Sequence, residues 1–118
     1  MLSPINIHNS GTIIELLVGI YKVNVLGGWG VTVGKFSFTL TNLSNGKTIK
    51  PKGTIWRLQY YSFNKRAKKI FSLDIPERAE YRIDFENQKS LEVSRSNLFL
   101  FQMLEKDIPH ENIEICIE

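Results

Sequence analysis

Phe36-Ser37-Phe38-Thr39-Leu40-Thr41 alternates apolar and polar side chains without a break. A period of two is the signature of a strand, because successive side chains leave opposite faces of the pleat. Outward from this stretch the same grammar recurs. Tyr21, Val23 and Val25 share one parity, with Lys22 and Asn24 on the other. Trp56, Leu58 and Tyr60 do the same, as do Phe71, Leu73 and Ile75, then Tyr81, Ile83 and Phe85, then Ile113, Ile115 and Ile117. No segment sustains an apolar stripe at 3.6-residue spacing, the nearest case being a single turn around residues 105–111. The spacing predicts an all-β domain of about eight or nine strands with negligible helix.

Turn signals separate the runs at short intervals: Gly27-Gly28, Ser44-Asn45-Gly46, Pro51-Lys52-Gly53, Asn64-Lys65, Pro76-Glu77 and Asn87-Gln88. Such spacing points to an antiparallel β-sandwich of immunoglobulin-like or jelly-roll type. Asn45-Gly46 suits a tight primed hairpin, which needs positive φ at both residues. The apolar parity switches from Val31 and Val33 to Phe36, Phe38 and Leu40, as a β-bulge near Gly34 or a corner between two strands would require. There is also an internal echo. Tyr21-Lys22-Val23-Asn24-Val25 resembles Tyr81-Arg82-Ile83-Asp84-Phe85, and Val31 and Val33 precede Leu91 and Val93 by sixty positions. Tyr21 and Tyr81 both read as tyrosine corners, where the phenol bonds back to the chain a few residues upstream.

The chain has 118 residues, 42% of them hydrophobic and 23% charged, which is enough to bury a core without covalent staples. Residues 1–11 read as an N-terminal segment and candidate edge strand, and residues 12–118 as one sandwich domain. Cys116 has no partner for an internal disulfide. No apolar run reaches the ~20 residues needed to span a bilayer. The most apolar early stretch, residues 13–20, is broken by Glu15 and lacks the preceding basic residues of a leader. The chain therefore reads as cytoplasmic, or as an exported domain already trimmed. Residues 98–104 are apolar on both faces and need cover on both sides, from the segment around Ile5 and Ile7 or from a second copy.

Phe71-Ser72-Leu73-Asp74-Ile75-Pro76, continued by Tyr81, Phe85, Asn87 and Ser90, resembles the middle of the Golgi-dynamics (GOLD) type β-sandwich and of bacterial accessory sandwiches. The resemblance covers about twenty residues. It implies an interaction module rather than an enzyme and carries over no functional residue.

Charge is distributed unevenly. Between Glu15 and Asp74 there is no acid but there are ten bases; from Asp74 onward eleven acids face five bases. Four of the bases, Lys65, Arg66, Lys68 and Lys69, fall within five positions. They read as the tip of a hairpin between strands at 55–63 and 70–75. Arg57, Tyr61 and Phe63 share one face beside that tip. Cations next to aromatic rings can hold phosphate while the rings stack on bases or enter a lipid interface. These seven residues are the candidate ligand-binding set.

Other chemistry finds little footing. Gly28-Trp29-Gly30-Val31-Thr32-Val33-Gly34-Lys35-Phe36 fails the phosphate-loop pattern, with Trp29 where glycine is needed and Phe36 where Ser or Thr is needed. His8, His110 and Cys116 do not cluster in sequence as metal ligands, and no residue is singled out as catalytic. Asp84 and Glu86 alternate on one strand face, as solvated acids do. No cofactor motif appears. The sequence therefore points to a non-catalytic sandwich whose basic side meets an anionic membrane surface, an acidic polysaccharide or an acidic protein. The alternatives are single-stranded nucleic-acid binding, and protein–protein contact or self-assembly through residues 98–104.

Overall fold

A computed structural model describes residues 3–28, 30–53, 59–62, 65–94 and 110–118. Among them are twelve short strands: β1 (Ile5–Asn6), β2 (Thr12–Leu16), β3 (Gly19–Leu26), β4 (Gly30–Thr32), β5 (Ser37–Asn42), β6 (Thr48–Ile49), β7 (Lys52–Gly53), β8 (Gln59–Ser62), β9 (Lys65–Ile75), β10 (Ala79–Glu86), β11 (Glu92–Ser94) and β12 (Glu114–Ile117). Two short 3-10 turns, Gln88–Ser90 and His110–Asn112, are the helical elements of the described residues, and neither is long or apolar enough to cross a membrane. The count exceeds the eight or nine read from alternation because two- and three-residue strands are too short to show a period.

The larger sheet runs β1-β12-β3-β9-β7, with β8 also on β9. The smaller runs β2-β10-β5-β6, and β11 pairs β4 in a separate ribbon. Val23, Val25, Phe71 and Leu73 from one sheet and Phe38, Leu40, Tyr81 and Ile83 from the other belong to a single buried cluster. Phe38 meets Phe71 edge to face at 6.1 Å, and Phe36 stacks near-parallel on Phe71 and Phe85 at 6.2 and 6.1 Å. The sheets thus pack face to face as a β-sandwich. Of the apolar residues read as core, Tyr21 is half-buried at the edge of this cluster. Trp56 and Leu58 lie outside the described residues, as does the stretch 98–104. Ile5 and Ile7 are buried in the main core, with Ile5 opposite Ile115.

Of the two alternatives at Gly34 the corner is the one found, a turn between β4 and β5. Gly34 has φ +56°, and a Cβ there would sit 2.9 Å from the Ser90 Cβ, so both conformation and space require glycine. The irregularity lies instead in β9. Val23 pairs with Phe71 but Asn24 with Lys69, leaving Ile70 as an extra residue. Asn45-Gly46 is not a two-residue primed hairpin. Gly46 alone has positive φ, its N–H bonds the Asn42 carbonyl at 2.8 Å, and residues 43–46 form a four-residue loop.

The internal echo has a topological counterpart. β3 and β10 lie sixty positions apart at both ends. Each is preceded by a strand in the other sheet, β2 and β9, and each pairs with the strand that precedes its counterpart. β4 and β11 also pair with one another. At the sixty-residue offset β2 and β3 of the first half therefore correspond to β9 and β10 of the second, with the two sheets exchanged.

Candidate functional site

The basic residues 65–69 stand inside strand β9 and not at a hairpin tip. Residues opposed in an antiparallel pair share a face. Lys69 is opposite Asn24 on the face turned away from the main core, whereas Lys68 is opposite Val25, a core residue. Lys65 bonds Glu114 at 3.0 Å. The strand period thus divides the four cations between two faces. Tyr61 is placed by its backbone opposite Arg66 in β8, while Arg57 and Phe63 lie outside the described residues.

Elsewhere too, folding brings bases of the middle of the chain to acids of its end. Lys50 lies 3.6 Å from Glu86, whose carboxylate also accepts a 2.8 Å hydrogen bond from the Thr39 hydroxyl. That hydrogen bond, then the Lys50 charge, holds the Glu86 carboxyl below its usual range. The acids anticipated on one β10 face, Asp84 and Glu86, are engaged with Arg82 and with Thr39 and Lys50.

Cys116 lies between Glu114 and Glu118 in the sequence. It does point away from Ile115 and Ile117, yet it is fully buried in a small second cluster with Leu26 and Ala67. The Asn24 amide donates to its Sγ at 3.6 Å and to Glu118 Oε2 at 3.2 Å.

The surface that stands out instead is aliphatic. Among the described residues, Ile20 is 80% exposed, Val18 66%, Ile13 56%, Leu17 55% and Leu43 45%. Leu17, Val18 and Ile20 follow one another where β2 passes to β3, and Leu43 stands at the same end in the smaller sheet. β2 ends at Leu16 opposite Ala79, where β10 begins, and Leu43 donates its N–H to the Glu80 carbonyl. At a strand spacing of about 4.8 Å, Leu43 lies about 10 Å across the sheet from the β2 end. Leu17 and Val18 make the turn into the other sheet, where Ile20 begins β3 on the outward face opposite Asp74.

This end is held rigidly. The Tyr21 hydroxyl donates to the Leu17 carbonyl at 2.9 Å and accepts the Leu17 N–H at 3.1 Å. Tyr81 anchors the neighbouring turn through the Glu77 carbonyl at 2.7 Å, and Asn42 and Asn45 both donate to the Glu77 carboxylate, at 3.0 and 2.6 Å. Burial, then the Glu77 charge, raises the Tyr81 pKa, with Asn42 offsetting part of the rise. Sequence reading passed over Leu17, Val18 and Ile20. The available signal was the run Ile13-Ile14-Glu15-Leu16-Leu17-Val18, which is apolar on both parities and cannot all face inward from one strand.

The chain matches no family model, no curated protein and no solved structure.

Proposed function

We propose that this chain is a non-catalytic interaction module that engages a protein partner through the aliphatic end formed by Leu17, Val18, Ile20 and Leu43. The observation that carries the reading is the conjunction of high exposure with a pinned backbone. Scattered exposed aliphatics are ordinary, but a cluster of them on a preorganised turn loses little entropy when covered. Within the sandwich class, the jelly-roll form is the better supported. With β4, β7, β8 and β11 set aside, the pairs β1 with β12, β2 with β10, β3 with β9 and β5 with β6 describe one long antiparallel hairpin rolled into two sheets. An immunoglobulin-type sheet would pair its first two strands. Fold alone assigns no function. The test is comparative capture from cells that make the protein. Partners retained by the parent should be lost on combined Leu17→Ser, Val18→Ser and Ile20→Ser replacement, at unchanged melting temperature. Equal capture by both would overturn the reading.

A second reading keeps the anionic partner, whether membrane surface, acidic polymer or single-stranded nucleic acid. Its support is that Lys52 and Lys22 flank Ser72 in one row of the larger sheet, with Lys69 in the next row on the same face. It requires affinity that falls steeply with salt. Changing Lys65, Arg66, Lys68 and Lys69 to glutamine would then weaken binding to anionic vesicles, acidic polysaccharide or oligonucleotide, and binding that is indifferent to salt would exclude it.

A further inference from the structure

The five-residue strand β2 forms an edge of the smaller sheet, with β10 as its one strand partner among the described residues. An edge strand presents unpaired N–H and C=O groups to any strand that arrives, so proteins blunt their edges with short strands, proline and lysine. Three other outer strands of the two main sheets carry those devices. β1 has two residues and follows Pro4, β6 has two and is followed by Lys50 and Pro51, and β7 consists of Lys52 and Gly53 directly after Pro51. β2, Thr12-Ile13-Ile14-Glu15-Leu16, has no proline and no lysine, and its outward side chain Ile13 is 56% exposed.

The fold also shows what such an edge accepts. At the sixty-residue offset, the counterpart of β2 is β9, and the matching edge of β9 carries β7 and β8, both antiparallel. Among the described residues the smaller sheet has no equivalent strands.

We infer that β2 is a homodimerisation edge, where a second copy of this chain adds its own β2 antiparallel about a two-fold axis at Ile13. Register selects the axis. Ile14 and Leu16 are buried and must stay on the core side, so a residue of one face has to oppose a residue of the same face. Centring on Glu15 sets two carboxylates against each other, and centring on Ile14 sets Ile13 against Glu15. Centring on Ile13 sets Ile13 against its own copy and Glu15 against the copy's Gly11, which leaves room for the Glu15–Arg78 ion pair at 3.1 Å. The surface is self-complementary, as an isologous contact requires. A contact of one strand per partner is small, in the size range of weak and reversible association. Ile13 is outside the aliphatic end assigned to a partner above, and the two surfaces stand or fall separately.

The test is sedimentation of the full chain from about 5 to 500 µM, beside Ile13→Lys and Leu17→Ser/Val18→Ser variants. The parent and the double variant should shift from monomer to dimer across that range, and Ile13→Lys should stay monomeric with its melting temperature retained. In a Cys116→Ala background, Ile13→Cys should cross-link to a covalent dimer under mild oxidation, whereas Ile20→Cys should not. A parent that stays monomeric at 500 µM overturns the inference and leaves the edge to a strand from another protein. An undiminished dimer in Ile13→Lys, or cross-linking as ready at Ile20→Cys, overturns it too.

Discussion

Tyr21 and Tyr81 close two corners of one design, yet their surroundings differ. Both phenols donate to a carbonyl four residues upstream, at 2.9 and 2.7 Å, and both sit where the chain passes from one sheet to the other. At Tyr81 the turn is Pro76-Glu77-Arg78, and its polar groups are consumed internally. Glu77 binds Asn42 and Asn45, and Arg78 binds Glu15. Tyr81 itself is fully buried. At Tyr21 the turn is Leu17-Val18, the phenol is half-buried, and two aliphatic side chains stand in water. The fold evidently does not need aliphatics at this kind of corner, since its counterpart makes the same crossing with polar residues. Their exposure at the Tyr21 corner is therefore not something the crossing itself requires.

The comparison can be broken most directly with Tyr81→Phe. It should cost about 1–1.5 kcal/mol, because the fully buried Tyr81 side chain loses its hydrogen bond to the Glu77 carbonyl. Tyr21→Phe should cost under about 1 kcal/mol, because water can reach the freed Leu17 groups. Equal losses in chemical denaturation would show that the corners are energetically alike.

Alkaline pH separates them next. Burial keeps the Tyr81 phenol neutral above its ordinary pKa of 10.0. In the unfolded chain that phenol ionises first as pH rises past about 10. The stability it contributes is then complete below that pH and falls away as pH climbs toward the folded-state value. Denaturation midpoints at pH 8 and 11 should differ less in Tyr81→Phe than in the parent. An identical pH dependence in the two proteins would remove burial of the phenol as the cause.

The smallest effect is expected at the exposed side chains. Leu17→Ser with Val18→Ser should change stability by no more than about 0.5 kcal/mol, as surface replacements away from caps and core do. A loss above 2 kcal/mol would mean that these residues serve the sandwich after all.

Much of the architecture was legible in the residues. Alternation marked the strands at 21–25, 36–41, 71–75 and 81–85 because each has one face in the core and one outside, and the two corners were visible as Gly19-Ile20-Tyr21 and Ala79-Glu80-Tyr81. The short strands β6 and β7 were not, since two residues have no measurable period. The candidate site was less legible. Four cations within five positions read as a loop because charge runs usually are loops. In the structure they continue β9, where Ala67 and Ile70 are buried among them and supply its packing.

What the sequence by itself determined is the strand grammar, the corners and the separation of bases from acids along the chain. Only the tertiary structure decided where those charges meet. Strands of the basic stretch lie beside strands of the acidic stretch: β12 lies beside β3, and β10 lies between β2 and β5. Lys50 reaches Glu86 and Lys65 reaches Glu114, and the charge separation along the chain becomes pairs across the sheets. The same arrangement leaves β2 at an edge among the described strands. A period of two fixes which face of a strand is buried, but which strands become neighbours depends on pairing between residues far apart in the chain, and local alternation carries no record of it.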